Sequence, residues 1–312
     1  MGSNCIEFSN VYKSFGSNKV LKGLNFTVEK GEIMALLGHN GAGKTTTLRI
    51  LLGLLGFDSG EVMVFDNKIN VMDEGLRQVT GVLSEDTGLY ESLTVYDNLK
   101  FFSDIYKCDR QFFEDQIDYL LDMFNISDCK HKVIKDFSLG MKKKVAIIRT
   151  IFHNPKLVLM DEPINALDPI SIQVLHQIMR DMKDNLGTTF VITTHNLDEV
   201  VKICDSIVIV KNGKSFMDKR IELSRNETIL ETHITLYNFK DTYINQIRDI
   251  MKDNFASKEY KIIQDKLIIK NTEDEFIAKL IKKLSDKDIG ICEVIRNNFD
   301  LEQLYIDLNT EE

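Results

Sequence analysis

No apolar run in this 312-residue chain approaches the ~18–20 residues that cross a bilayer, and no secretory leader opens it. If the protein works at a membrane, another chain must make the crossing. Gly2 does not begin a myristoylation signal, because Ile6 stands where Ser or Thr is required. Cysteine is sparse: Cys5, Cys108, Cys129, Cys204 and Cys292 are scattered, odd in number and never arranged as C-x-x-C. That spacing offers neither a disulfide framework nor a zinc site, and it suits structural residues in a reducing cytoplasm. Nor is there a basic block able to grip nucleic acid; the net charge is −9, and the acidic excess is heavier after Ile221. No internal repeat or low-complexity tract is present. What remains, 43% hydrophobic and 28% charged residues, is an ordinary globular composition, long enough for about two domains.

Against that plain background one octapeptide stands out. Gly38-His39-Asn40-Gly41-Ala42-Gly43-Lys44-Thr45 spells G-x-x-x-x-G-K-[ST], with Thr46 directly after it. It lies between a continuous apolar run, Ile33–Leu37, and a short helical stretch, Thr46 to Leu52. Glycines let the backbone curl so that its N–H groups point inward at phosphate oxygens, and the helix N-terminus adds its positive dipole end. Lys44 would reach the β- and γ-phosphates, and the Thr45 hydroxyl would bind Mg²⁺.

A second motif lies downstream. The apolar strand Leu157–Met160 ends in Asp161 and Glu162, and Pro163 prevents its continuation. In a parallel sheet this puts both carboxylates at the carboxyl edge where the phosphate loop emerges. Asp161 can hold Mg²⁺ through water, and Glu162 can polarise a water for in-line attack on the γ-phosphate. Two adjacent acids here would also serve as an N-cap pair for the next helix.

Around these motifs the chain alternates strands and helices. Cys5–Phe8 and Leu24–Val28, separated by turns at Gly16, Gly23 and Gly31, suit a small antiparallel sheet, and Glu61–Phe65 and Thr80–Leu83 read as further strands. From about Tyr90 to Asn154 the apolar spacing becomes helical, as at Phe113 to Phe124. The amphipathic helix Ile170–Met182 connects Leu157–Met160 to the strand Phe190–Ile192, which makes a parallel crossover. Ser206–Val210 before Asn212-Gly213 predicts an edge hairpin. The composition shifts near Ser224. Beyond it the pattern gives strand Thr228–Leu236, helix Asp241–Asp253, and strand Tyr260–Lys270 turning at Gln264-Asp265. Helix Asp274–Leu284, strand Ile291–Ile295 and helix Leu301–Leu308 follow.

With both motifs in place, residues 1 to about 220 resemble the nucleotide-binding subunits of ATP-binding cassette (ABC) transporters. The most specific part of the likeness is Phe137-Ser138-Leu139-Gly140-Met141, where the family has Leu-Ser-Gly-Gly-Gln. Ser138 and Gly140 match, while Phe137, Leu139 and Met141 look like the Tyr-Ser-x-Gly-Met form of an export-type branch. The resemblance implies that this segment of one subunit faces the phosphate loop of another, with ATP between them. Ser138 precedes a helix expected near Lys142, so its hydroxyl and the helix end would both address a γ-phosphate. In isolation the serine reads equally well as an N-cap, with Lys142-Lys143-Lys144 as a solvated face.

By the same resemblance Phe15 stacks on adenine, His195 contacts the γ-phosphate, and Ala166-Leu167-Asp168 touches the opposite subunit. Glu85 stands where most relatives have glutamine; a carboxylate still ligates Mg²⁺ but adds negative charge near the phosphates. Asp86–Asn98 is similar to the segment that docks on the membrane subunit, and Phe299–Tyr305 to the ending of drug- and bacteriocin-exporter ATPases. The implied fold class is α/β: a P-loop NTPase core with a small antiparallel β subdomain and an inserted helical subdomain, plus a small C-terminal α+β domain. The domains are expected at residues 1–222, with the helical insert at about 88–155, and 223–312. The implied function is an ATP-binding and ATP-hydrolysing subunit powering a separate transmembrane permease of export type. It would use Mg²⁺, pair with a second ATP-binding subunit, bind no nucleic acid, and sit on the cytoplasmic, inner face of the membrane. The alternatives are a soluble, non-transport ATPase of the same fold and a nucleotide-dependent regulatory module.

Overall fold

The structure, a computed structural model, describes residues 4–39, 41–69, 74–220, 231–254, 259–270 and 274–297. It divides into two compact units, Met1–Ile221 and Glu222–Glu312.

The first unit opens with a long antiparallel hairpin, β1 (Asn4–Phe15) and β2 (Asn18–Glu29), followed by β3 (Ile33–Leu37) and α1 (Lys44–Leu51). The strands β4 (Ser59–Val64) and β5 (Asn67–Lys68) complete an antiparallel sheet in the order β2-β1-β4-β5. β1 is longer than the expected Cys5–Phe8. Its register slips between Phe8 and Val11, where Asn10 takes a φ of 50°, and the slip breaks the alternation that marks a strand in sequence. Next come α2 (Glu74–Gln78), β6 (Thr80–Leu83) and the helical insert: α3 (Val95–Ile105), α4 (Arg110–Met123) and α5 (Leu139–Ile151). Thr94 and Asp109 set where the first two of these helices begin. Their side chains accept the N–H groups of Asp97 and Phe112, each at 3.0 Å.

The chain then returns to the central sheet through β7 (Leu157–Asp161), α6 (Pro169–Leu186), β8 (Thr189–Thr194), α7 (Leu197–Ile203), β9 (Ser206–Lys211) and β10 (Lys214–Arg220). The sheet order is β10-β9-β3-β8-β7-β6, parallel throughout except for the antiparallel edge strand β10. Every residue of β3, β7 and β8 is buried, which accounts for their unbroken apolar runs. One apolar core joins the two sheets: Phe8, Phe26 and Val62 pack with Leu48 and Leu51 of α1 and with Met34, Leu159, Val191 and Val208. Register places Leu37 beside Thr194 and Asp161 beside Thr193, so the segments after β3, β7 and β8 leave the sheet at one edge.

The second unit runs β11 (Glu231–Leu236), α8 (Asp241–Asn254), β12 (Tyr260–Ile263), β13 (Lys266–Lys270), α9 (Asp274–Ser285) and β14 (Ile291–Asn297). Its sheet order, β12-β13-β11-β14 with antiparallel neighbours, is that of a split β-α-β unit. Ile234, Leu236, Leu267 and Ile269 on the sheet meet Ile247, Met251, Leu280 and Leu284 on the two helices. The turn expected at Gln264-Asp265 within Tyr260–Lys270 separates β12 from β13, with a φ of 53° at Gln264. Residues 228–230, the helix expected at Leu301–Leu308 and the segment Phe299–Tyr305 lie outside the described residues.

Candidate functional site

The phosphate loop follows β3, and α1 begins at Lys44, two residues before the expected Thr46. Gly43 makes that early start possible. Its φ is 113°, a backbone conformation that favours glycine, and a Cβ there would lie 2.6 Å from Leu21 Cδ2, which would have to shift. Lys44 is buried, and its ammonium folds back to donate to the carbonyls of Gly38 (2.6 Å) and His39 (3.3 Å). Burial pushes its pKa down, while the carboxylates of Glu162 and Asp161 work in the opposite direction. Ala42 is buried under the loop; His39, Gly41 and Thr45 are exposed and Thr46 is half-buried. Asn40 lies outside the described residues.

The acids close the other side. Asp161 is the last residue of β7, and its carboxylate accepts from the hydroxyl of Thr45 (3.1 Å) and from that of Thr193 on β8. Glu162 follows with a φ of 45°, a conformation that costs energy for a residue with a Cβ. Neighbours hold it there. Its N–H bonds to both the carbonyl and the hydroxyl of Thr193 at 3.1 Å, and its Oε1 lies 3.0 Å from His195 Nδ1. Glu162 Oε2 is buried without a hydrogen-bond partner among the described residues, which leaves one oxygen of the acid free to receive a proton. His195 is exposed. The Thr45 hydroxyl and the Asp161 carboxylate form a hard-oxygen pair of the kind Mg²⁺ takes, so the residues present fit that ion.

The segment from Phe137 to Lys144 sits on the same framework. α5 begins at Leu139, not near Lys142, because the Ser138 hydroxyl caps it by accepting the N–H of Met141 at 3.3 Å. Gly140, in the first turn, abuts the loop after β7: a Cβ there would meet the Ala166 carbonyl at 2.7 Å. Asp168 caps α6 through the backbone (2.9 Å) and hydroxyl (2.7 Å) of Ser171 and pairs with Lys144 at 3.1 Å. Those hydrogen bonds from Ser171, with Lys144 beside them, hold its carboxyl well below the usual range. The run Lys142-Lys143-Lys144 is not a solvated face at its centre, because Lys143 is buried and donates to the Glu162 carbonyl at 3.1 Å.

The structure therefore brings Lys44, Thr45, Asp161, Glu162 and His195 together. Among the described residues Phe15, Ser138 and Gly140 make no hydrogen bond to that network. Phe15 lies at the end of β1, about half exposed, with the Lys13 ammonium 5.2 Å from its ring centroid. Glu85 is exposed on the loop after β6, near enough to Lys143 to favour its charged form. Sequence reasoning missed Thr193 and Lys143. The position of Thr193, two residues before His195 on a core strand, was the one available signal for it. A hollow opens at the opposite, amino-terminal edge of the strands, lined by Leu52, Phe65, Val79, Lys30, Lys68 and Lys156. It holds none of these acids.

The ABC transporter family profile matches residues 21–165, and a profile described as "AAA domain, putative AbiEii toxin, Type IV TA system" matches 130–202. An uncharacterized ABC transporter ATP-binding protein of Methanocaldococcus jannaschii is 40% identical over 70% of this chain and 78% of its own length. The bacitracin transport ATP-binding protein of Bacillus licheniformis is 30% identical over 98% of this chain and 97% of its own. Among solved structures, one described as an ATP binding subunit of an ABC transporter superposes with a TM-score of 0.66 at 30% identity. That match covers 71% of this chain and 92% of the other.

Proposed function

Because the chain belongs to the ATP-binding proteins of ABC transporters, we propose that it binds and hydrolyses ATP to drive a separate transmembrane permease of export type. The observation that carries the hydrolytic part is Glu162. It is fixed by Thr193 and His195 beside the loop that presents Lys44 and Thr45, with one carboxylate oxygen unpartnered.

The residues divide the work. Main-chain amides of residues 41–45 and the Lys44 ammonium would hold the β- and γ-phosphates, with Lys44 exchanging its carbonyl partners for phosphate oxygens. Glu162 Oε2 would take the proton as water attacks the γ-phosphorus in line with the leaving oxygen. His195 would hold Glu162 through Oε1 and offer its other ring nitrogen to the γ-phosphate. Thr45, Asp161 and Glu85 would hold Mg²⁺, which when bound neutralises charge on the β- and γ-oxygens. Phe15 would stack on adenine.

Ser138 is exposed, with Leu139 at 66% and Ile170 at 74% exposure near the starts of α5 and α6. That outward, partly apolar set supports a second ATP-binding subunit, whose nucleotide Ser138 and Gly140 would address. Among the described residues no helix is long and apolar enough to cross a membrane. The permease would be another chain, and this one would sit peripherally on the inner face, docking through Asp86–Asn98. The bacitracin-transport relative supports transport as the process it drives.

Steady-state ATPase assays on wild type and Glu162→Gln test the reading. Turnover in the wild type, reduced at least about a hundredfold in the variant, is expected. Equal, negligible rates would leave a nucleotide-dependent regulatory module. Copurification with a multi-span membrane protein is expected, and its absence from detergent extracts of the native host would point to a soluble ATPase.

A further inference from the structure

We propose that Lys143 is a positioning residue for the catalytic acid: its buried ammonium grips the Glu162 backbone carbonyl and so couples the helix that starts at Ser138 to Glu162. The proposal rests on the ATPase reading above.

Lys143 is 5% exposed, and a buried ammonium is costly unless something in the site needs it. Its hydrogen-bond acceptor is not a carboxylate but the main-chain oxygen of Glu162, at 3.1 Å. Burial pushes its pKa down, and the carboxylates of Asp161, Glu162 and Glu85 work in the opposite direction. Three acids crowd one edge, and the two buried lysines among the described residues, Lys44 and Lys143, both stand among them. Lys44 has its work with phosphate. Lys143 is thereby left to balance the extra negative charge that Glu85 brings.

The carbonyl is a sensitive place to hold. Glu162 has a φ of 45°, a conformation it keeps only while its surroundings impose it. Thr193 fixes the N–H on one side, and Lys143 fixes the C=O on the other. Without Lys143 the Glu162 carbonyl keeps only the longer hydrogen bond from the Asn165 N–H, at 3.4 Å, and relaxation toward negative φ would swing the carboxylate away from the water it must activate. The same turn of α5 touches this loop twice more, at Gly140 against Ala166 and at Lys144 with Asp168. A shift of α5 when Ser138 engages nucleotide would therefore reach the loop after β7 at three points, of which Lys143 touches Glu162 itself.

ATP turnover by the purified full chain and its Lys143→Met and Lys143→Gln variants tests this. Methionine keeps the length but neither charge nor donor, and glutamine keeps a donor. Lys143→Met is expected to lower kcat about tenfold with KM for ATP within about twofold, and Lys143→Gln to recover most of the loss. In Glu85→Gln, where one carboxylate is gone, the cost of Lys143→Met is expected to shrink to about threefold. Should Lys143→Met fail to fold alone, the Glu85→Gln/Lys143→Met double variant, compared with Glu85→Gln, carries the measurement. A wild-type kcat in folded Lys143→Met, or kcat and KM worsening together with no recovery in Lys143→Gln, overturns the proposal while leaving the ATPase assignment intact. An inert wild type overturns both.

Discussion

Glu85 stands where the resemblance to the family leads one to expect glutamine, and the structure gives it an electrostatic setting. An exposed carboxylate at the sheet edge adds to those of Asp161 and Glu162, and Lys143 lies near enough to interact with it. Glu85→Gln is therefore expected to keep or tighten ATP binding, read by displacement of a fluorescent nucleotide. Complete loss of binding would remove Glu85 from the site. A second residue matters to stability alone. His153 is stacked on Tyr106 with ring centroids 3.7 Å apart, and burial lowers its pKa from 6.5 to about 4. In the folded chain the ring is neutral, whereas the unfolded chain takes up a proton below pH 6.5. This contribution to stability is thus complete above pH 6.5 and is lost as pH falls toward 4, by up to about 3 kcal/mol. His153→Phe keeps the stack without the proton, so urea melts between pH 4.5 and 7 should show a flatter pH dependence. An unchanged slope would place the titration elsewhere.

Among the elements, α5 carries the most chemistry. Its start was misplaced by three residues from sequence, because Ser138 caps the helix directly and the apolar spacing becomes clear only farther along. Capping and the burial of Lys143 follow from one geometry: with Ser138 as cap, Gly140, Lys143 and Lys144 fall on the side that meets the loop after β7. Gly140→Ala would place a Cβ 2.7 Å from the Ala166 carbonyl, and backbone cannot yield there without moving the loop that begins at Glu162. ATPase activity should fall at least about tenfold while overall stability falls only about 1–3 kcal/mol. A variant with full activity would show that this contact is slack. Most other elements were legible as to type, the turn at Gln264 included, but the short α2, β5 and α7 were not read. Ends shifted where a cap or the bulge at Asn10 decided the boundary.

At the scale of the molecule, each unit has its own core, and every described site residue lies in the first. A fragment of residues 1–221 is expected to fold and to bind ATP within about threefold of the full chain. Failure of that fragment to bind would make the second unit part of the site. That unit's β-α-β-β-α-β order was visible in the sequence, but its strand order was not, since pairing is set by contacts distant along the chain.

By itself the sequence determined the ligand class, because glycine spacing and an adjacent lysine act through local backbone geometry. It also determined the parallel core, because strands buried on both faces carry apolar runs such as Ile33–Leu37, Leu157–Met160 and Phe190–Ile192. Only the tertiary structure decided which polar groups share that edge. Thr193 meets Asp161 through strand register, and Lys143 meets Glu162 by helix packing. Both contacts join residues far apart in the chain, and a threonine or a lysine looks the same in sequence whether its partner is water or a buried acid.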